Sequence, residues 1–179
     1  MELRFKGTEK FPIVELNDVR IVFKNFEGRG DQYNADGKRN FHVVIPNEAL
    51  AEELRNDKNE YGVGWNVKTK PARDDDDEDD FITLKVNVAY NKTTGRGPSI
   101  FLKTNGVMNK LTKETVGLLD HIGISHIDMD IRPYDDVAAG KPFRAAYLQS
   151  MCVTQAPLDR FEEEYENHRS RVAEEEDEY

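Results

Sequence analysis

From Phe81 to Tyr90 the chain reads Phe-Ile-Thr-Leu-Lys-Val-Asn-Val-Ala-Tyr, alternating apolar with polar side chains. Successive side chains of a strand point to opposite faces, so this spacing gives one dry and one wet face. The same pattern returns at Asn40 to Ile45, Val63 to Lys70, Pro98 to Lys103, His126 to Tyr134 and Phe143 to Thr154. Ile13 to Phe26 is a longer β-branched and aromatic run, with a slip of phase near Asn17-Asp18 that predicts a bulge or bend. About seven strands follow, punctuated by the Gly-, Asp- and Asn-rich stretch Gly28 to Lys38, the basic turn Asn91 to Gly97 and the segment Asp135 to Pro142.

Two short helices interrupt the strands. Asn47 is placed to cap a helix running to Arg55, and Thr112 opens a run to Asp120 with apolar residues at helical spacing. Short strands with glycine-rich turns predict a mainly β domain, a barrel or sandwich. We place it at residues 1–157. Residues 158–179 form a separate end, beginning as a helix that docks on the body through Leu158, Phe161 and Tyr165, and finishing as a disordered acidic tail.

Charge is unevenly distributed. The net charge of −10 argues against an anionic partner only on average. Asp74 to Asp80 is an unbroken acidic run, expected as an exposed loop, and the stretch from Glu162 to Tyr179 is acid-rich. Without these two segments the body holds 23 bases and 19 acids. Steering of a partner follows the local field, so this basic body can face an anion.

Several classes fall away. No segment offers the roughly 20 apolar residues of a membrane helix, and the first residues carry no apolar signal core. Cys152 is the single cysteine, which forbids an internal disulfide. A cytoplasmic location is expected. His42, His121, His126 and His168 are scattered and share no ligand spacing, so no metal or other cofactor is expected. Neither a phosphate-binding glycine motif nor a nucleophile elbow occurs. Asp128-Met-Asp130 could be read as metal-binding acids of a nuclease, but no base or lysine accompanies them, and a wet strand face accounts for them.

Binding chemistry fits better. Unpaired nucleic acid asks for cations along a groove and aromatic faces for its bases. Basic and aromatic residues recur together at Lys38-Arg-Asn-Phe41, Trp65-Asn-Val-Lys68, Tyr90-Asn-Lys92, Phe101-Leu-Lys103, Arg132-Pro-Tyr134 and Lys141-Pro-Phe-Arg-Ala-Ala-Tyr147. We expect Arg39, Lys68, Lys70, Arg96, Lys103, Arg132 and Arg144 to meet phosphates, and Trp65, Tyr90, Tyr134 and Tyr147 to stack on bases. Phe41 and Phe81 are expected in the core, where strand aromatics usually sit. The last residues, Glu174, Glu175, Glu176, Asp177, Glu178 and Tyr179, can compete with DNA for the groove or dock on basic partner proteins; a merely solubilising end is the plainer reading.

These residues also carry a resemblance. Phe23-Lys-Asn-Phe26, Gly37-Lys-Arg-Asn-Phe41, Gly64-Trp-Asn-Val-Lys68, Leu119-Asp120, Ile131-Arg-Pro-Tyr134 and Ala146-Tyr-Leu148 make the chain, over about Val19 to Tyr165, resemble bacteriophage or prophage single-stranded DNA-binding proteins. That resemblance implies an OB fold with an acidic C-terminal tail. It further implies sequence-independent coating of single strands in replication, recombination or repair, with replication or recombination proteins recruited by the tail. Seven strands rather than five, and the Asp74–Asp80 run, depart from a plain OB fold. The rival reading is an acidic interaction module or DNA mimic that occupies a basic DNA-processing protein. Oligomeric state is not legible at this level.

Overall fold

The computed structural model describes residues 1–71, 81–159, 161–162 and 164–165. The Asp74–Asp80 run, Arg73 and the tail residues Glu174 to Tyr179 lie outside them.

Ten strands are described: β1 (Glu2–Gly7), β2 (Pro12–Asn17), β3 (Arg20–Asn25), β4 (Arg39–Ile45), β5 (Val67–Lys70), β6 (Phe81–Val88), β7 (Ser99–Thr104), β8 (Val107–Leu111), β9 (Ile124–Ala138) and β10 (Lys141–Gln155). The main path through the sheet is β1-β2-β9-β10-β6-β4-β3, with β5 on β6 and the β7–β8 hairpin on β10. β10 organises the fold. One of its edges is antiparallel to β9 along almost its whole length, and the other pairs in parallel first with β6 and then with β7. A register shift between Leu148 and Ser150 bends it between these partners. The ladders run open from β1 to β3, and among the described residues the backbone hydrogen bond from Val19 N to Ile127 O, at 3.0 Å, ties the residue before β3 to β9. The mainly β expectation holds, and the ladders make a sheet with free ends rather than a closed cylinder.

The alternation decides which face is dry. Ile82, Leu84, Val86 and Val88 of β6 join Phe41, Val43 and Ile45 of β4 and Ile127, Met129 and Ile131 of β9 in one core. Phe41 stacks on Phe26 at 5.2 Å, both fully buried. Phe81 corrects the expectation made for it. It shares the parity of Thr83 and Lys85, lies opposite Lys70, and its ring meets exposed Phe23 instead of the core.

Helix α1 (Glu48–Asn56) starts where expected: Asn47 is extended and its side chain accepts from Leu50 N. The second expected helix is only a 3-10 turn, Val116–Asp120. Its last carboxylate is drawn away to accept from Phe26 N and Glu27 N, both at 2.9 Å. The slip near Asn17-Asp18 is a true break. Asp18 has φ 51°, and β2 and β3 end up far apart in the strand order. The segment 135–142 is not a broad loop, because β9 and β10 continue to a tight turn in which Ala139 (φ 50°) and Gly140 (φ 76°) are left-handed. At 161–162 and 164–165 the backbone is helical, and Leu158, Phe161 and Tyr165 are exposed.

Candidate nucleic-acid interface

Opposite the core, the wet faces of β4, β6, β10 and β9 form one continuous surface. Register carries a row straight across it: Asn40 faces Asn87, Asn87 faces Tyr147, and Tyr147 faces Arg132. His42 faces Lys85 in the adjacent row. On β9 and β10 the aromatics cluster: Tyr134 lies 5.8 Å from Tyr147 and 6.2 Å from Phe143, and the Arg132 guanidinium sits 5.3 Å over the Tyr147 ring. Tyr134 donates to Asp136 Oδ2 at 3.0 Å, which holds its hydroxyl above the ordinary phenol range.

Three clefts open on this surface and meet at β6. The largest, about 830 Å³, lies between β3, β4 and the overhanging loop 26–38; Phe23, Arg29, Tyr33, Asn40, His42 and Lys85 line it. A second of about 390 Å³ runs past Lys38, Arg39, Tyr90, Lys92, Lys113 and Tyr147. The third, about 480 Å³, opens where β5 and β10 leave the same edge of β6, and includes Arg55, Trp65 and Phe143. Lys85 belongs to the first and third, Asn87 to the second and third. Cations and aromatic rings line each of the three.

The expected residues divide. Arg132, Tyr134 and Tyr147 come together on the aromatic strip. Lys68 and Lys70 project from β5 beside Thr83 and Phe81, on the same face. Lys68 is near enough to His42 that, after burial and Lys85, it helps hold the imidazole below its ordinary pKa of 6.5. Arg39 and Tyr90 border the second cleft but are partly committed. The Arg39 guanidinium donates to the carbonyls of Phe26 and Lys113 and lies 5.3 Å over the Tyr90 ring. The Tyr90 ring in turn presses so closely on Gly97 that a β-carbon there would stand 2.2 Å from it. Arg96 is exposed in the neighbouring turn. Lys103 lies on β7 opposite Met108 and lines none of these clefts.

Trp65 and Arg144 need correction. Trp65 is 3% exposed and precedes β5 rather than lying on it. Its indole donates to Asp57 Oδ2 at 2.8 Å, and Arg144 covers the ring at 5.3 Å. Arg144 is itself 8% exposed, forked onto both oxygens of Asp135 at 2.8 and 3.0 Å and bonded to Asp57. Burial raises the Asp135 carboxyl pKa, but Arg144 and Asn59 outweigh it and the group ends below its ordinary value. An arginine so neutralised is not available to a phosphate, nor is a covered indole available to a base.

Sequence reasoning passed over Lys85, Lys113 and Tyr33, named Lys38 in a basic-aromatic cluster but not among the phosphate contacts, and weighed His42 only as a metal ligand. Lys85 was legible as the odd-parity cation of the clearest alternating strand. Tyr33, 82% exposed in a loop, carried no periodic signal. The acids Asp128 and Asp130 line a separate shallow depression with Glu15 and Cys152. No group of three or more potential metal ligands occurs among the described residues. No described helix is long and apolar enough to cross a membrane.

The described wet face of this mainly β chain combines rings and cations. The family model "Putative phage ssDNA-binding domain" matches residues 7–176, and the chain belongs to that family, whose members bind DNA and are not enzymes. No curated protein matches the chain. Among solved structures, it is similar to a single-stranded DNA-binding protein from bacteriophage Enc34 in complex with ssDNA. The two share 11% identity over 86% of this chain and 94% of that one, with a TM-score of 0.53. A second structure of the single-stranded DNA-binding protein from bacteriophage Enc34 matches at 12% identity, 88% and 92% coverage and a TM-score of 0.48.

Proposed function

We propose that this protein coats single-stranded DNA without sequence preference during phage DNA replication, recombination or repair, through an OB-like body. The observation that carries the reading is the convergence of the three clefts on Lys85 and Asn87, beside the Arg132–Tyr147–Tyr134 strip. Phosphates would be met by Lys68, Lys70, Lys85, Arg96 and Arg132, with Lys38, Lys92 and Lys113 along the second cleft. Tyr134 and Tyr147 would stack on bases. Both contacts ignore sequence, since every nucleotide has a charge and a π-face. The acidic C-terminal residues 174–179 would compete for the same cations and recruit basic replication or recombination proteins.

Fluorescence anisotropy with labelled oligo-dT tests this, using the full chain and a truncation after Arg171, across a salt series with duplex competitor. Submicromolar binding that weakens with salt and tightens on truncation is expected. Absence of binding at low salt would overturn the reading in favour of an acidic interaction module.

A further inference from the structure

Phe23 stands out in the backbone. It has φ 52°, a left-handed conformation that strains a bulky L-residue. It sits where the β3–β4 register slips between Val22 and Asn25. The neighbours after it are clamped. The Lys24 ammonium donates to the carbonyls of Leu119 and Ile122, and Asn25 donates to the carbonyls of Arg29 and Lys38. The strain turns the ring out of the sheet. It stands perpendicular to His42 at 5.4 Å and to Phe81 at 6.3 Å, and is still 67% exposed. A ring held this way gains little from burial, so its own packing does not account for the strain.

We infer that Phe23 is a base-stacking platform, and that the 830 Å³ cleft beside it takes a nucleobase of the bound strand with His42 at its edge; this rests on the single-strand-binding reading above. The surroundings select a flat apolar group attached to an anion. Lys85 from β6 and Lys68 from β5 supply positive charge around His42, while Arg29 of the loop lines the cleft paired with Glu27. Asp31, the acid of the cleft, accepts from Tyr33 N and Asn34 N through Oδ1. The Nε2 atom of His42 has no hydrogen-bond partner among the described residues, and burial together with Lys85 and Lys68 favours the neutral ring, able to bond a base edge.

The test uses the full chain and Phe23→Gly. Glycine accepts φ 52° without strain, so the melting temperature is expected to hold or rise, while affinity for oligo-dT falls about tenfold or more. Phe23→Trp is expected to keep the affinity. An oligonucleotide of equal length with abasic positions separates stacking from fold: the wild type prefers oligo-dT over it, and Phe23→Gly loses most of that preference. If Phe23→Gly matches the wild type on both strands, or loses affinity equally for both, the platform is overturned while single-strand binding stands. If the wild type fails to bind oligo-dT at low salt, both fall.

Discussion

Arg132 over Tyr147 and Arg144 over Trp65 are the same pair on paper: a guanidinium 5.3 Å from a ring centroid. They differ in parity and in neighbours. Arg132 is an outward residue of β9 and stays exposed. Arg144 is an inward residue of β10, and its register partner across the ladder is Asp135. The inner pair therefore belongs to a set of Trp65, Asp57, Asn59, Asp135 and Arg144, in which the one cation is held by two carboxylates. Among the described residues, no carboxylate is paired with Arg132 of the outer pair. A basic-aromatic pair is a binding element only where no carboxylate has claimed the cation.

The comparison breaks most sharply in stability. Arg144→Gln strands Asp57 and Asp135 beside a buried indole, and should cost about 3 kcal/mol, the low end for a buried pair because both acids keep some solvent. A denaturant midpoint unchanged from wild type would show that the inner set is not structural. Arg132→Gln should leave that midpoint within about 0.5 kcal/mol and weaken oligo-dT binding severalfold; Tyr147→Ala should weaken it by about 1–3 kcal/mol. If Arg144→Gln instead weakened binding in the folded protein as much as Arg132→Gln does, the division drawn here would fail.

Smaller effects sharpen the same line. Lys85→Gln and Lys68→Gln should each reduce the slope of log affinity against log salt by about 0.7, the value for one phosphate of a single strand; Lys103→Gln should leave the slope alone. The inner set also predicts acid sensitivity. Asp135 is lowered from 3.8 in the fold, so its contribution is complete above that value and is lost as pH falls below it through the folded pKa. Asp135→Asn should flatten the stability profile there.

The smallest effect is His42, which is held below 6.5. Its unfolded form takes up the proton first, so stability declines as pH falls through 6.5, whereas phosphates nearby would raise the bound pKa and make affinity rise over the same range. NMR titration of the imidazole with and without oligo-dT reads both. A midpoint unmoved by DNA would place the strand elsewhere.

Local pattern reached far in this chain. The strands with clean alternation, β4, β6 and β7, fall within one or two residues of expectation, as does helix α1, because parity and an Asn47 cap are short-range chemistry. β1 and β8 were not legible. β1 has one partner, β2, and β8 has one partner, β7, and most of their side chains are exposed, so neither carries a strong apolar rhythm. The run Thr112 to Asp120 has helical spacing, yet Asp120 is claimed by Phe26 N and Glu27 N, more than ninety residues away in sequence.

What the sequence by itself determined is the class: alternating strands, segregated charge, and the cations and rings of a single-strand binder, all consequences of residue spacing and composition. Which of those rings and cations are open was decided only in three dimensions. Parity says that Arg144 and Arg132 face opposite sides, but only the pairing of β9 with β10 brings Asp135 to Arg144, and only the parallel contact of β10 with β6 sets Tyr147 beside Asn87. A side chain's availability depends on its partners, and partners distant along the chain are chosen by sheet register.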